Sequence, residues 1–251
     1  MSIALITGGN RGLGFATARL LAEQGHRVLI TARSLPVAES AAAGLRAEGG
    51  SVTGLGLDVT SADSIEAAVL SVRRLAGGLD ILVNNAGILP EVTDVEPHEF
   101  ASVPLFRSTF ETILFGPVAV TEAFLPLLRA GTAGRIVNVS STMGSLSDQF
   151  NPDSPYYSTV MPAYQSSKAA LNSVSIALSK KLAGTDITVL SVCPGFVRTE
   201  LTPISKDAPL TPDEAPGSSW APRPGRYRPG QVPSSTRTAS YPGSAYPVTT
   251  S

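Results

Sequence analysis

A tyrosine and a lysine stand four residues apart in the segment Ala163-Tyr164-Gln165-Ser166-Ser167-Lys168. On a helix, this spacing puts the two side chains on one face, one turn apart. A phenol with a pKa of about 10 is a weak acid, but a nearby ammonium group stabilises the phenolate and lowers that pKa. The pair therefore predicts a site that passes a proton to or from a substrate. Because the same spacing also arises by chance on helix surfaces, the neighbouring sequence elements are needed to distinguish a proton-transfer site from a coincidence.

Short apolar runs alternate with helical segments along the chain. The apolar runs cover residues 3–7, 27–31, a stretch that ends at Leu57, 79–83, 135–139 and 187–193. Nearly continuous apolar strands separated by helices predict an α/β fold in which a doubly wound, Rossmann-type parallel sheet of six strands carries helices on both faces. In such a sheet, ligands bind at the carboxyl ends of the strands.

Polar residues and glycines follow the predicted strands at these carboxyl ends. In chain order they are Thr7-Gly8-x-x-x-Gly12-x-Gly14, Asp58, Asn84-Asn85-Ala86-Gly87, Ser140-Ser141 and Pro194-Gly195-Phe196-Val197-Arg198-Thr199. Glycines between a strand and a helix let the backbone approach a pyrophosphate, whose charge the helix N-terminus favours. The bland alternatives are a tight turn without a ligand and polar residues that merely close the strands.

Together with Tyr164-x-x-x-Lys168, these motifs resemble the short-chain dehydrogenase/reductase family, and within it the carbonyl-reductase-like members, over about residues 3–201. The resemblance implies an oxidoreductase that transfers a hydride from a nicotinamide dinucleotide to a ketone or an aldehyde. It implies that Tyr164 donates the proton, that Ser141 donates a hydrogen bond to the carbonyl oxygen and that Lys168 also binds the nicotinamide ribose. Ser141 is preferred to Ser140 because the family's catalytic serine aligns with the second position of the pair.

The second predicted strand ends in Thr31-Ala32-Arg33, where an NAD site carries an acidic residue for the ribose hydroxyls, and the glycine turn contains Arg11. Guanidinium groups bind a 2′-phosphate well, so the sequence predicts NADPH. NADH is the less favoured alternative, if both arginines are only solvated surface residues. The predicted cofactor contacts, several of them implied only by the resemblance, are Gly8, Arg11, Gly12, Leu13, Gly14, Arg33, Asp58, Val59, Asn85, Ala86, Gly87, Lys168, Pro194, Gly195, Val197 and Thr199.

Two features depart from the family pattern. The family commonly places an asparagine that supports a water-mediated proton relay where this chain has Ile113, in Glu111-Thr112-Ile113-Leu114-Phe115-Gly116. We therefore expect slower proton delivery or a substitute donor. The connection 142–163 is long; Tyr156 and Tyr157 in it are either walls of the substrate pocket or exposed loop residues. In carbonyl-reductase-like relatives such an insertion can block the usual dimer face, so a monomer and a homo-oligomer both stay open.

The chain changes character near Thr202, which predicts a catalytic domain over 1–201 and a tail over 202–251. Proline, serine and arginine accumulate in the tail, and no strand or helix period survives. Such a segment buries too little apolar surface to offset its ordering entropy, so we expect an irregular, disordered tail. We hypothesise that a reading-frame shift just after Glu214 replaced the family's usual ending; a genuine flexible tail that binds a partner is the alternative.

Composition narrows the partners and the compartment. The 251 residues carry a formal net charge of −1, which favours neither nucleic acid nor an anionic membrane, and the expected partner is a small-molecule carbonyl compound. The single cysteine, Cys193, cannot form an internal disulfide. No membrane-spanning segment, signal peptide or metal site is predicted, and the expected location is the cytoplasm. An alternative function is a catalytically weak dinucleotide-binding protein that acts as a sensor or scaffold.

Overall fold

The computed structural model of the chain describes residues 1–215. Its sheet consists of β1 (Ile3–Ile6), β2 (Arg27–Ala32), β3 (Val52–Gly56), β4 (Ile81–Asn84), β5 (Arg135–Val139) and β6 (Thr188–Val192). The strands lie in the order β3-β2-β1-β4-β5-β6 and every pair is parallel. This arrangement confirms the predicted doubly wound sheet. The strand order reverses between β1 and β4, which is where such sheets bind their ligands.

Helices cover both faces of the sheet. They are α1 (Gly12–Glu23), α2 (Leu35–Ala47), α3 (Ala62–Ala76), α4 (Val103–Phe110), α5 (Gly116–Ala130), α6 (Leu146–Phe150) and α7 (Pro162–Lys181). Short 3-10 helices form at Pro90–Val92, Thr142–Gly144 and Ile204–Asp207.

Each face of the sheet has its own core. Leu5 and Leu82 point to the face that α3, α5 and α7 cover, where Phe124 of α5 is fully buried. Ile6 and Val83 point to the opposite face, against Leu21 of α1 and the helix α2. The strands therefore read as continuous apolar runs because both of their sides are buried.

Helices α4 and α5 are continuous through a π-helical segment, Glu111–Phe115, so the chain is helical over Val103–Ala130. The sequence pattern predicts this helix only from about Phe110, whereas the observed helix begins at Val103, with Pro104 in its first turn, where its missing N–H costs nothing. By length and composition, this helix could cross a membrane, contrary to the sequence expectation. Half of its most apolar window is buried inside the fold, as in the core helix of a soluble domain.

Residues 202–215 continue past the predicted domain boundary and pack against the sheet domain. Thr202, Ser205, Ala208 and Ala215 are buried. Arg198 N–H donates to the carbonyl of Leu210 at 2.7 Å, which ties this segment to the loop after β6. The predicted disordered tail spans residues 202–251, and its first part, 202–215, packs against the sheet domain. Residues 216–251, which include most of the hypothesised frame-shifted segment, lie outside the described part of the chain, so the disorder expected there stays a prediction.

Candidate functional site

A cavity of about 1230 Å³ lies along the carboxyl ends of the strands. Every site residue predicted from the sequence lines it: Gly8, Arg11, Gly12, Leu13, Gly14, Arg33, Asp58, Val59, Asn85, Ala86, Gly87, Ser141, Tyr164, Lys168, Pro194, Gly195, Val197 and Thr199. The structure thus brings together residues from six separate strand ends and from α7. Their individual roles stay predictions.

The glycine turn after β1 requires its glycines. Gly8 and Gly12 have φ of +62° and +54°, in the left-handed region that side chains rarely adopt. A Cβ on Gly14 would lie 2.5 Å from both the Nδ2 of Asn85 and the carbonyl oxygen of Gly8. Any larger residue at position 14 would therefore push the first turn of α1 away from the β4 loop. Glycine keeps the backbone close enough to form a cradle along the cavity, which suits a pyrophosphate.

The β1 and β4 loops are joined by hydrogen bonds at the point where the strand order reverses. The Thr7 hydroxyl accepts from the backbone N–H groups of Asn85 and Ala86, each at 3.0 Å. The Asn85 amide donates to the carbonyl oxygens of Thr7 and Gly8 at 2.9 and 3.1 Å. Asn85, which the sequence predicted as a cofactor-lining residue, therefore also holds the glycine turn in place.

One end of the cavity combines positive and negative side chains. Arg33, after β2, is exposed and lies close enough to Asp58 for its charge to act on that carboxyl group. Hydrogen bonds from the backbone and hydroxyl of Thr60 lower the pKa of Asp58, with a smaller contribution from Arg33. Arg11 donates from Nη1 to the carbonyl oxygen of Glu200 at 3.1 Å. Two guanidinium groups thus border the part of the cavity where β1 and β2 end.

Tyr164, Ser141 and Lys168 meet at the other end of the cavity. The Ser141 hydroxyl lies close enough to the Tyr164 phenol to lower its pKa, and it accepts from the N–H of Met143 at 3.2 Å. Lys168 is buried, and its Nζ donates to the carbonyl oxygen of Val139 at 2.6 Å and lies 5.5 Å from the centre of the Tyr164 ring. The buried Ser140 hydroxyl has no hydrogen-bond partner, and Ser141, not Ser140, acts on the pKa of the phenol, which favours Ser141 as the predicted serine.

The acidities of the pair differ from the sequence expectation. Burial raises the pKa of Tyr164 above its usual 10, an effect that the nearby Ser141 hydroxyl only partly opposes. Burial also lowers the pKa of Lys168 to about 8, from an ordinary value of 10.5. The phenol pKa is therefore raised and not lowered as expected, because desolvation of the phenol dominates and Lys168 Nζ donates to the Val139 carbonyl. Tyr164 is a neutral phenol at neutral pH, which is the form that can donate a proton.

Glu91 holds the start of α7, and sequence reasoning missed it. Its two carboxylate oxygens accept from the N–H groups of Ala163 and Tyr164 at 2.9 and 2.8 Å. Helix α7 has no other side-chain cap, since Met161 precedes it. These contacts span more than 70 residues of sequence, so no local spacing could have indicated them. A carboxylate in the loop after Asn85 therefore fixes the backbone of the tyrosine.

The long connection before α7 supplies part of the cavity wall. Tyr156 lines the cavity, and its pKa is raised by burial, whereas the Tyr157 side chain is largely exposed. From the sequence, each tyrosine was either a wall of the substrate pocket or an exposed loop residue. The structure places Tyr156 in the wall and exposes Tyr157. Pro155, Thr159 and Met161 from the same connection also line the cavity.

Ile113 lies in the π-helical segment and is 1% exposed. It does not line the cavity, although its neighbours Glu111 and Thr112 do. A buried aliphatic side chain offers no hydrogen bond to a water molecule, so the expectation of an altered proton relay stays a prediction. Among residues 1–215, no three side chains of the types that bind metal ions come together.

Comparisons with known proteins agree with this geometry. A family model described as short chain dehydrogenase matches residues 2–209. A short-chain dehydrogenase of Penicillium roqueforti is 41% identical over 207 residues, which cover 78% of this chain and 79% of that protein. An actinorhodin polyketide ketoreductase variant solved with NADPH superposes with a TM-score of 0.66 at 34% identity, covering 81% of this chain and 72% of the other. NADPH-bound carbonyl reductase from chicken fatty liver gives 0.72 at 28% identity, covering 86% and 88%.

Proposed function

This chain belongs to the short-chain dehydrogenase family of oxidoreductases, and we propose that it is an NADPH-dependent reductase that converts a ketone or an aldehyde into an alcohol. The observation that carries the proposal is the contact of Ser141, Tyr164 and Lys168 at one end of a cavity whose other end has the glycine turn and two arginines. The fold, the site and the NADPH-bound relatives support it together.

The shape and charge of the cavity fit NADPH. The glycine turn leaves room for a pyrophosphate beside the backbone of α1. Arg33 and Arg11 would hold the 2′-phosphate, since no acidic residue follows β2 to receive ribose hydroxyls as in an NAD site. When bound, the cofactor supplies the hydride. The residues of the chain then have to orient the carbonyl compound and provide the proton.

The proton comes from Tyr164. As the carbonyl oxygen gains charge, the Tyr164 phenol donates its proton and Ser141 donates a hydrogen bond to the same oxygen. The ammonium group of Lys168 stabilises the phenolate that remains, at a distance of 5.5 Å from Nζ to the ring centre. Because the site is largely desolvated, each of these interactions is stronger than it is in water.

The cofactor part of the proposal is tested by Arg33→Asp. An aspartate after β2 should repel the 2′-phosphate and accept ribose hydroxyls, so we expect the ratio of the Kd for NADH to the Kd for NADPH to fall at least about 100-fold. Arg107→Asp, an exposed arginine on α4 outside the cavity, is the matched control and should leave the ratio unchanged. Wild-type protein that binds NADH as tightly as NADPH would contradict the NADPH assignment.

A catalytically weak dinucleotide-binding protein is the second candidate, and Ile113 is the observation that favours it. A buried isoleucine stands where the resemblance places the relay asparagine, so proton supply to Lys168 lacks that side chain. Equilibrium NADPH binding and NADPH oxidation with a broad panel of ketones and aldehydes separate the candidates. Tight binding with no turnover on any compound supports the sensor, and carbonyl-dependent oxidation supports the reductase.

A further inference from the structure

We propose that the substrate is a bulky, uncharged carbonyl compound that binds through its apolar skeleton, and that acyl groups carried on anionic thioesters such as coenzyme A are excluded. This inference rests on the proposed reductase function, because it concerns the part of the same cavity that lies beyond Tyr164. It is drawn from the side chains and charges of that wall.

The wall around Tyr164 is apolar. Its members come from segments that contact the tyrosine or its serine directly: Leu89 and Val92 flank Glu91, which holds the Tyr164 N–H, and Met143 donates its N–H to Ser141. The apolar and aromatic residues of these segments and of the connection before α7 that line the cavity are Leu89, Val92, Met143, Pro155, Tyr156 and Met161. A skeleton of apolar rings or chains gains the most from burial against such a surface.

The cationic side chains of the cavity lie in its cofactor part, except for Lys168, which lies beside Tyr164. Among the described lining residues they are Arg11, Arg33 and Lys168. Arg11 and Arg33 border the ends of β1 and β2, away from the tyrosine, and Lys168 donates to the Val139 carbonyl. A carboxylate or phosphate on the substrate would therefore lose its water without gaining a cationic partner.

Charge on the substrate wall is negative instead. The Glu111 carboxylate, in the π-helical segment, lines the cavity and is exposed. The other polar groups there are hydroxyls, those of Ser108, Thr112, Tyr156 and Thr159. Hydroxyl groups can orient one or two neutral oxygen atoms of a substrate, whereas Glu111 repels an anionic one.

The test uses two ketones with one skeleton, methyl 4-acetylbenzoate and 4-acetylbenzoate, which differ by one charge, together with acetoacetyl-CoA. With wild-type full-length protein and saturating NADPH, we expect kcat/KM for the ester to exceed that for the acid and for the thioester by at least about 100-fold. Calorimetry with the complex of the protein and NADP⁺ should rank the ester above the acid in affinity. Equal or better use of the acid or of acetoacetyl-CoA would overturn the proposal.

A charge placed on the wall gives a second, independent readout. Val92→Arg should narrow the preference for the ester over the acid to within about 10-fold, because it supplies the missing cation. Val95→Arg is the matched control: Val95 is 90% exposed, lies outside the cavity and should leave the ratio unchanged. An unchanged ratio in Val92→Arg, with the ester still reduced, would also count against the proposal. If wild-type protein binds NADPH but reduces none of the three probes, the reductase function fails, while the calorimetric ranking still decides the charge preference of the cavity.

Discussion

At the scale of single residues, burial controls the chemistry of the site. Tyr164 and Lys168 share a face of α7, as their spacing predicts, but the direction of each pKa shift comes from desolvation within the fold. Such shifts depend on how β5 and the loop after β6 pack against α7, and no sequence pattern contains that packing. The sequence could therefore predict the pair and its partner Ser141, but not their protonation states.

The lowered pKa of Lys168, about 8, predicts the pH dependence of the reaction. Below pH 8 the amine is protonated and can stabilise the phenolate that forms on Tyr164, and above pH 8 it loses this charge. The phenol itself stays protonated throughout this range, because its pKa is raised. We expect kcat/KM for NADPH, which reports groups of the free enzyme, to be level up to about pH 8 and to fall above it.

Cys193→Ala is the control for this profile. An electrostatic contribution from Cys193 raises the pKa of Lys168, so its removal should keep the fall and move it to slightly lower pH. A profile that stays level up to pH 9.5 in the wild type would show that Lys168 does not titrate where the structure places it.

At the scale of elements, α7 is held at its N-terminus by a residue from the loop after β4. Glu91 accepts two backbone N–H groups there, one of them from Tyr164 itself. The same β4 loop contributes Asn85 to the glycine turn. The loop therefore fixes the distance between the cofactor cradle and the phenol, and Glu91 is a positioning residue.

Replacing Glu91 by glutamine should lower kcat about 10-fold and leave the Kd for NADPH within about 2-fold, because the amide NH₂ cannot accept one of the two hydrogen bonds. The amide hydrogens of Ala163 and Tyr164 should also exchange faster with solvent. Glu96→Gln, an exposed glutamate of the same loop, is the matched control and should change none of these quantities. Equal losses of kcat, NADPH affinity and thermal stability in Glu91→Gln would indicate a merely structural role.

Sequence patterns predict the strands of this fold better than they predict its helices. Five strands were predicted within about two residues at both ends, and the third was predicted only by its end near Leu57, because a strand buried on both faces is a distinctive apolar run between turn residues. The helix around Ile113 was placed seven residues too short at its start, and its π-helical segment was not foreseen. A π-helical turn requires no particular residue type, because it depends on how α4 and α5 pack against α7. The sequence therefore gives no sign of it.

At the scale of the whole molecule, the chain after β6 closes the cavity. Thr202 and Ser205 are buried, line the cavity and share a hydrogen bond of 2.6 Å between their hydroxyls. Val197 forms a β-bridge with Leu210, and the Arg198 guanidinium donates from Nε to the Ala208 carbonyl at 3.3 Å. The change in composition near Thr202 marks the end of regular structure, but the contacts that stabilise the loop from Pro194 to Thr199 continue beyond it.

A chain that ends at Leu201 should therefore lose thermal stability and NADPH affinity. Without these contacts, we expect the Tm to fall by at least about 5 °C relative to the full chain and the Kd for NADPH to rise at least about 10-fold. Lys206→Ala, an exposed change within the same segment, should leave both values close to those of the full chain. A chain 1–201 with the Tm and NADPH affinity of the full chain would show that residues 202–215 contribute nothing to the site.

The central claim is that Tyr164 donates the proton in an NADPH-dependent carbonyl reduction. Tyr164→Phe keeps the ring and its packing but removes the hydroxyl, so its NADPH affinity and Tm should match those of the wild type. The measurement is carbonyl-dependent NADPH oxidation by both proteins with the same ketone at saturating NADPH. We predict a loss of about 10²- to 10⁴-fold in kcat for Tyr164→Phe. Full activity in this variant would contradict the account.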